Sequence, residues 1–436
     1  MSWGLRFRIR QYVKNSLWLM PLIAGLVGLI LAELTSWVDA RADLAVLQYA
    51  PETATAVVSA TIAAAVSLTG FVVTVTVLGV QQATGIFSPR YMRLWYRDGR
   101  LKLVLAELVG TLMFSVAVIR RIQPDSVPDI SVSLTGGGLA LGLLLFLLYL
   151  DRFLHRMRPV AVAELLAHAG RESLDDWVAE IDRPDLALVA GGPWTPPTEP
   201  TFVLRAARSG TIQAVDIAGL SAVARRHACV IAFRHSVGDF VPVGAAILEV
   251  HGATLPATVG EHLSTMLALG TERTIEQDPA FAIRVMVDIA IRALSPAVND
   301  PTTAVQVLDH LGESLRLVGA TASPSDGASP STLTSGVILP VRTWPDLLSL
   351  GITEIREYGA TSIQVMRRLR ALLEELSELV LPENRAAVEA ELRHLDVTVV
   401  AAYPNTVDLA AARSADHQGI GGPAVMRARG GFHERA

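Results

Sequence analysis

The sequence predicts a membrane α-helical protein: four transmembrane helices, then a cytoplasmic α+β region with a small β-rich module and a helical C-terminal part. Three observations lead there. Long apolar stretches recur four times within the first 150 residues. Charged residues make up 18% of the chain, against about 25% in a soluble domain. After Asp151 the hydropathy falls, and short strand-like runs and proline-marked helix starts take over.

The first span is read over Leu17–Val38. Arg6, Arg8, Arg10 and Lys14 precede it, as in a signal peptide, but the apolar run is too long for one, and no small-residue cleavage site follows cleanly; a signal anchor fits better. The second span centres on Val57–Val80, within the charge-free stretch between Glu52 and Arg90. The third covers Leu101–Ile119 and the fourth Ser131–Leu150. Each approaches the ~20 apolar residues that cross a bilayer core. The third is the weakest, because Lys102 and Glu107 sit in its first half.

Lysine and arginine set the orientation. Twelve lie before span one, between spans two and three, or just after span four, and three (Arg41, Arg120, Arg121) lie in the other two loops. Both termini are therefore expected in the cytoplasm, with the protein in a bacterial inner membrane. Trp18, Trp37, Tyr49 and Tyr149 sit near span ends, where interface-seeking rings collect. Within the 1–158 membrane domain, residues 88–100 predict an interfacial helix. Ser88-Pro89 reads as N-cap and first turn, Phe87, Tyr91, Leu94 and Trp95 share one face, and Arg90, Arg93, Arg97 and Arg100 share another, toward lipid headgroups.

Polar groups inside spans are functional candidates. Glu33 lies near the outer end of span one and Glu107 near the inner end of span three, so they should not pair. Arg120 or Arg121 is in reach of Glu33, and a middle-loop arginine is in reach of Glu107. Ser67, Thr74 and Gln81 recur every seven residues in span two, with Gly70 close by; Thr69 and Thr76 form a second line. Such residues mark helix–helix contact. The sharper alternative is a water path at the axis of a homo-oligomer.

Residues 159–200 read as a connecting helix and a proline-rich linker, and 201–258 as the β-rich module. Its strand-like runs are Phe202–Ala207, Thr211–Asp216, Cys229–His235 and Ala245–Val250, with a helix over Gly219–His227. The Gly238–Gly244 turn is similar to turns of biotin- or lipoate-carrying domains, but no lysine stands at its tip. His227, Cys229, His235, His251 and His262 form no tight metal-ligand spacing. Residues 259–402 read as mostly helical. Asp278-Pro279 and Asp300-Pro301 each place aspartate at N-cap and proline at N1. Asn299 and Asp300 gather in the intervening Ser295–Asp300 loop, as capping residues or as a ligand or partner site. Gly336–Val341 predicts a strand returning to the sheet, and helices follow at Trp344–Tyr358, Ser362–Leu379 and Glu383–Val400. Residues 403–436 lack periodicity and are expected to be mostly disordered.

Two sets of runs carry a resemblance. One is Ser67-Leu-Thr-Gly-Phe with Gln81-Gln82 and Phe87-Ser88-Pro89-Arg90. The other is Ile275-Glu-Gln-Asp-Pro-Ala-Phe281 with Ala293-Leu-Ser-Pro-Ala-Val-Asn-Asp-Pro301. Together they resemble the bacterial "predicted membrane protein" family, domain of unknown function 2254, up to about Ala401. The resemblance implies a multi-span membrane protein with a cytoplasmic C-terminal region. It brings no activity, cofactor or site residues.

A net charge of −5 excludes a general nucleic-acid binder. There is no Ser-His-Asp set, phosphate-cradling glycine loop or metal-binding helix to support an enzyme, and no cofactor motif. The expected partners are the lipid bilayer and further copies of the chain. Two function classes lead, ahead of a membrane enzyme: an oligomeric channel-like or transport-related protein, or a membrane-anchored sensor or scaffold acting through its cytoplasmic half.

Overall fold

A computed structural model describes residues 2–39, 41, 48–86, 98–156, 159–181, 185–190, 198–321, 333 and 335–421. They form two compact units. One comprises Ile9–Ala161, and the other Met1–Arg8 with Val162–Ala436.

The first unit holds most of α1 (Trp3–Asn15), then α2 (Leu19–Asp39), α3 (Pro51–Ile86), α4 (Gly99–Ile119) and α5 (Asp129–Arg156). Helices α2 to α5 are each long and apolar enough to cross a membrane. Lys102 and Glu107 do not interrupt the third of these. Lys102 Nζ donates to Lys14 O at 2.5 Å and Val13 O at 3.4 Å, capping the end of α1. Helix α4 is the hub and packs on α2, α3 and α5. The approach of α2 to α4 is set by glycine: a Cβ on Gly28 would overlap Gly110 O. With no water to expel between helices, such close backbone contact supplies the packing.

At the far end of the unit Asp39 of α2 caps α5. Its carboxylate accepts from Ile130 N at 2.8 Å and Ser131 Oγ at 2.6 Å. Asp129 in turn accepts from Tyr49 N at 2.8 Å.

The second unit is mixed α/β. In order it comprises α6 (Pro159–Ile181), β1 (Leu186–Ala190), β2 (Phe202–Arg205), β3 (Gly210–Val215), α7 (Ile217–His227), β4 (Val230–Phe233) and β5 (Phe240–Val241). Then come β6 (Ala246–His251), α8 (Ala257–Ser264), β7 (Leu267–Gly270), α9 (Pro279–Ala293), α10 (Pro301–Gly319) and β8 (Gly336–Val341). Last are α11 (Trp344–Tyr358), α12 (Ile363–Leu379), α13 (Arg385–Ala402) and α14 (Thr406–Ala412).

A five-stranded sheet runs β1-β8-β4-β6-β2 and a three-stranded one β5-β3-β7. β8 lies parallel to both neighbours; the other pairings are antiparallel. Both sheets feed one apolar core, with Leu186, Ile231, Leu248 and Val337 from one and Ile212, Val215 and Leu267 from the other. Helices α9 to α13 pack among themselves beside it.

The segment boundaries differ from the sequence expectation in three places. β1 falls inside residues 159–200, and β8 reaches the sheet from the helical region, so the β-structure is wider than 201–258. β7 lies in the region read as mostly helical, and α8 straddles the expected boundary at 258. Finally, residues 403–421 are ordered onto the helices. Asn405 caps α14, and buried Asp416 accepts from Gln418 N, Gly419 N and Gly421 N. Hydrogen bonds to α12 add to this local turn, with Gln364 Nε2 donating to Gly419 O at 2.7 Å and Arg367 Nε to Ser414 O at 3.1 Å, and such contacts need no apolar periodicity. The rest of the expected tail, 422–436, lies outside the described residues.

Candidate functional site

Helix α3 presents two polar lines, and the structure separates them. Thr69 and Thr76 turn inward. Thr76 Oγ1 bonds Val72 O at 2.8 Å and lies 3.2 Å from Tyr149 Oη on α5. Ser67, Thr74 and Gln81 are exposed. So are Ala56, Ala60, Ala63 and Gly70, and nothing approaches the Cβ position of Gly70. From Ala56 through Ala60, Ala63, Ser67, Gly70 and Thr74 the spacing alternates four, three, four, three, four. This is a heptad seam of small and hydroxyl residues, turned away from the buried face at Ala54, Val58, Ala65 and Val72. Thr74 Oγ1 returns to Gly70 O at 2.9 Å, so its hydroxyl is satisfied within the helix.

The two intramembrane acids sit in different settings. Glu33, with its side chain mostly exposed, pairs with Arg121, which also bonds Ala32 O and Ser36 Oγ. Of the two arginines in reach by sequence, Arg121 is the partner. Glu107 accepts from Thr111 Oγ1 at 2.8 Å, one turn along α4. The two side chains fit against Gly138 and Gly142 of α5, where a Cβ would strike Thr111 and Glu107 respectively. The second Glu107 oxygen is buried with no hydrogen-bond partner among the described residues. Of the headgroup-facing arginines expected between spans two and three, Arg90, Arg93 and Arg97 lie outside the described residues. Arg100 is exposed in the first turn of α4, where its amide is capped by Asp98 at 2.9 Å.

In the α/β unit, the Ser295–Asp300 loop joins α9 to α10. Asp300 is a working N-cap: it accepts from Thr303 N at 3.1 Å and Thr303 Oγ1 at 2.5 Å. Asn299 has a left-handed backbone (φ 48°), a conformation asparagine tolerates. Pro296, Ala297, Val298 and Asn299 are all exposed.

Upstream, Gln277 carries a contact that the sequence reading left unassigned, and Asp278 does more than the expected capping. The Gln277 amide accepts from Val215 N at 2.8 Å and donates to Val215 O at 3.2 Å, completing the end of β3 as a neighbouring strand would. Asp278 caps α9 and is 5% exposed. Its second oxygen has no hydrogen-bond partner among the described residues and lies against Gly238, whose left-handed φ of 94° and missing side chain make room for it. Burial pushes the Asp278 carboxyl up to about 6, against the opposing pull of Arg273 and Arg342. Arg273 Nε also donates to Gly238 O at 2.5 Å. The Asp-Pro spacing reveals the cap, but the pairing of residue 277 with residue 215 has no local signal.

The motif runs Ile275–Phe281 and Ala293–Pro301 thus bracket α9, one docking it on the sheet and the other turning it into α10. The family model described as "Predicted membrane protein", domain of unknown function 2254, matches residues 14–375. The chain belongs to this family. The match spans all four apolar helices, both sheets and the helices through most of α12. Similar proteins include an uncharacterized protein of Mycobacterium tuberculosis and one of Mycobacterium bovis. Each is 29% identical over 410 residues, covering 89% of this chain and 77% of the relative. No solved structure matches the chain.

Proposed function

We propose that the protein is an inner-membrane assembly, channel-like or transport-related, whose subunits meet through α3 and whose α/β unit regulates it from the cytoplasm. The observation that carries this reading is the exposed α3 seam. Lipid gives apolar side chains no reason to leave it, so helices associate where small and hydroxyl residues allow close packing. A four-three repeat suits a shallow left-handed crossing between copies. Around a shared axis the same seam would present Ser67, Thr74 and Gln81 to the lumen, the polar lining a conducting path needs. The lysine and arginine distribution favours the cytoplasm for the α/β unit.

Two measurements test it together. Single cysteines at Ser67 or Thr74 should cross-link between subunits in membranes, and those at Val66 or Val73, off the seam, should not. The same preparation should conduct ions in planar bilayers. Absence of seam-specific cross-links would remove the α3 assembly. Cross-linked oligomers that leave bilayers silent would remove transport and leave the seam as a plain assembly contact.

A second reading, a membrane-anchored sensor or scaffold, is favoured by the exposed Pro296–Asn299 tip. Ligand-induced shifts in melting of the full chain, lost in Asn299→Ala at unchanged intrinsic stability, would support that reading. Shifts that survive the substitution would move the site elsewhere.

A further inference from the structure

Helix α1 carries an apolar face that is exposed among the described residues. Its sequence, Trp3-Gly-Leu-Arg-Phe-Arg-Ile-Arg-Gln-Tyr-Val-Lys-Asn15, contains four cations and no acid. Leu5, Ile9, Tyr12 and Val13 fall on one side at helical spacing and are 39%, 42%, 58% and 44% exposed. Arg8 borders this stripe on one edge, and Arg6 and Arg10 border it on the other; all three are exposed. The opposite side is occupied. Gly4 is buried, its amide donates to Thr265 O at 2.8 Å, and a Cβ there would lie 2.7 Å from Leu267 O. The apolar stripe is therefore not the packing face of the helix.

We propose that α1 is a membrane-surface helix. Leu5, Ile9, Tyr12 and Val13 enter the acyl boundary, and Arg6, Arg8 and Arg10 bind the headgroups of anionic lipids.

Three features select a lipid surface over a protein partner. The first is charge: an apolar centre with cationic edges and no acid complements an anionic headgroup layer. The second is continuity. Only Ser16–Trp18 separate α1 from the membrane-length helix α2, so its C-terminal end is held at the bilayer boundary. The third is the aromatic pair at that junction. Tyr12 and Trp18 meet edge to face with centroids 6.4 Å apart, and both are exposed. Amphipathic rings of this kind mark the depth of the headgroups. Lys102, by capping Val13 O and Lys14 O, fixes the direction in which α1 leaves the junction.

The test uses the full chain in nanodiscs of phosphatidylcholine alone or mixed with phosphatidylglycerol. Spin labels are placed singly at Ile9, Val13 and Arg10. Labels at Ile9 and Val13 should be reached by lipid-dissolved oxygen and shielded from a water-soluble nickel chelate; a label at Arg10 should show the reverse. Chelate access equal at all three sites would overturn the proposal. Shielding of Ile9 and Val13 from both reagents would also overturn it, because a protein surface would then cover the stripe.

Amide exchange across α1 tests the headgroup part separately. The triple variant Arg6→Gln, Arg8→Gln, Arg10→Gln should exchange roughly tenfold or more faster than the parent in the mixed discs, and like the parent in phosphatidylcholine. An equal change in both lipids would overturn anionic recognition. These arginines are exposed, and the bond from Arg8 Nε to Gly4 O at 3.3 Å is lost in both lipids alike, so it cannot produce a lipid-dependent difference.

Discussion

The two compact units lean on different polar chemistry, although Ser314, Thr321 and Thr398 of the α/β unit also return to their own helix. In the membrane unit, hydroxyls return to their own helix: Thr69 to Ala65 O, Thr76 to Val72 O and Ser115 to Thr111 O, all within 2.8 Å. Helices meet through glycine, as Gly28 does with Gly110. In the α/β unit, side chains cap helix starts at Asp216, Asp278, Asp300, Thr343 and Ser362. Arginines bridge helices there, Arg284 to Glu354 and Arg368 to Asp309. The contrast follows from the solvent. Inside a bilayer a helix gains little by hiding leucine from lipid, so shape decides. In water apolar burial drives association, and caps decide where each helix begins. The membrane unit uses side-chain caps too, but at span ends, where Asp39 and Asp98 stand.

The contrast can be broken first at Gly28. Gly28→Leu forces α2 and α4 apart, and the expected loss is about 3 kcal/mol or more. Cooperative unfolding of the detergent-solubilised chain in sodium dodecyl sulfate should shift to lower detergent or vanish. An unchanged transition would show that glycine approach does not hold the unit together.

The next largest effect belongs to Asp278. Its folded carboxyl is raised from 3.8 to about 6, so the folded state holds the proton more tightly than the unfolded chain. That contribution is complete below about pH 4 and is lost as pH rises through about 6, on the order of 3 kcal/mol in all. Asp278→Asn keeps the cap oxygen and removes the titration. Amide exchange of α9 in the full chain, corrected for intrinsic rates, should slow in the variant at neutral pH and lose its dependence between pH 4 and 7. A parent with flat exchange over that range would contradict the buried-acid account.

The smallest effect is at a cap. Thr343 and Asp346 form a reciprocal box at the start of α11, with Thr343 N donating to Asp346 Oδ2 at 2.9 Å. Thr343→Ala should cost about 1 kcal/mol, visible as faster exchange in the first turn of α11. A comparable loss on removing Thr69 Oγ1 with Thr69→Val would blur the distinction between the units.

What the sequence made legible was local. The four apolar helices follow from hydropathy, and the starts of α9, α10 and α12 follow from Asp278-Pro279, Asp300-Pro301 and Ser362. The seven-residue recurrence of Ser67, Thr74 and Gln81 marks the outward face of α3. What stayed hidden depends on distant partners. Leu186–Ala190 is apolar without alternation and follows a helix, and only pairing with Val337–Val341 makes it a strand. Lys102 looks like a flaw in a span until Val13 O and Lys14 O are placed beside it. Gln277 is one more polar loop residue until Val215 presents both its backbone groups.

The parallel strand β8 has a consequence in time. Leu186 pairs with Val337, and Ile231 pairs with the same residue on its other side. Both neighbours leave the ribosome long before their partner does. At 5–20 residues per second, roughly 8–30 s pass between the appearance of β1 and that of β8. Throughout that interval β1 and one edge of β4 lack the strand that completes them. During synthesis this unit therefore depends on whatever shields a half-built sheet, such as the ribosome surface, a chaperone or its own early helices.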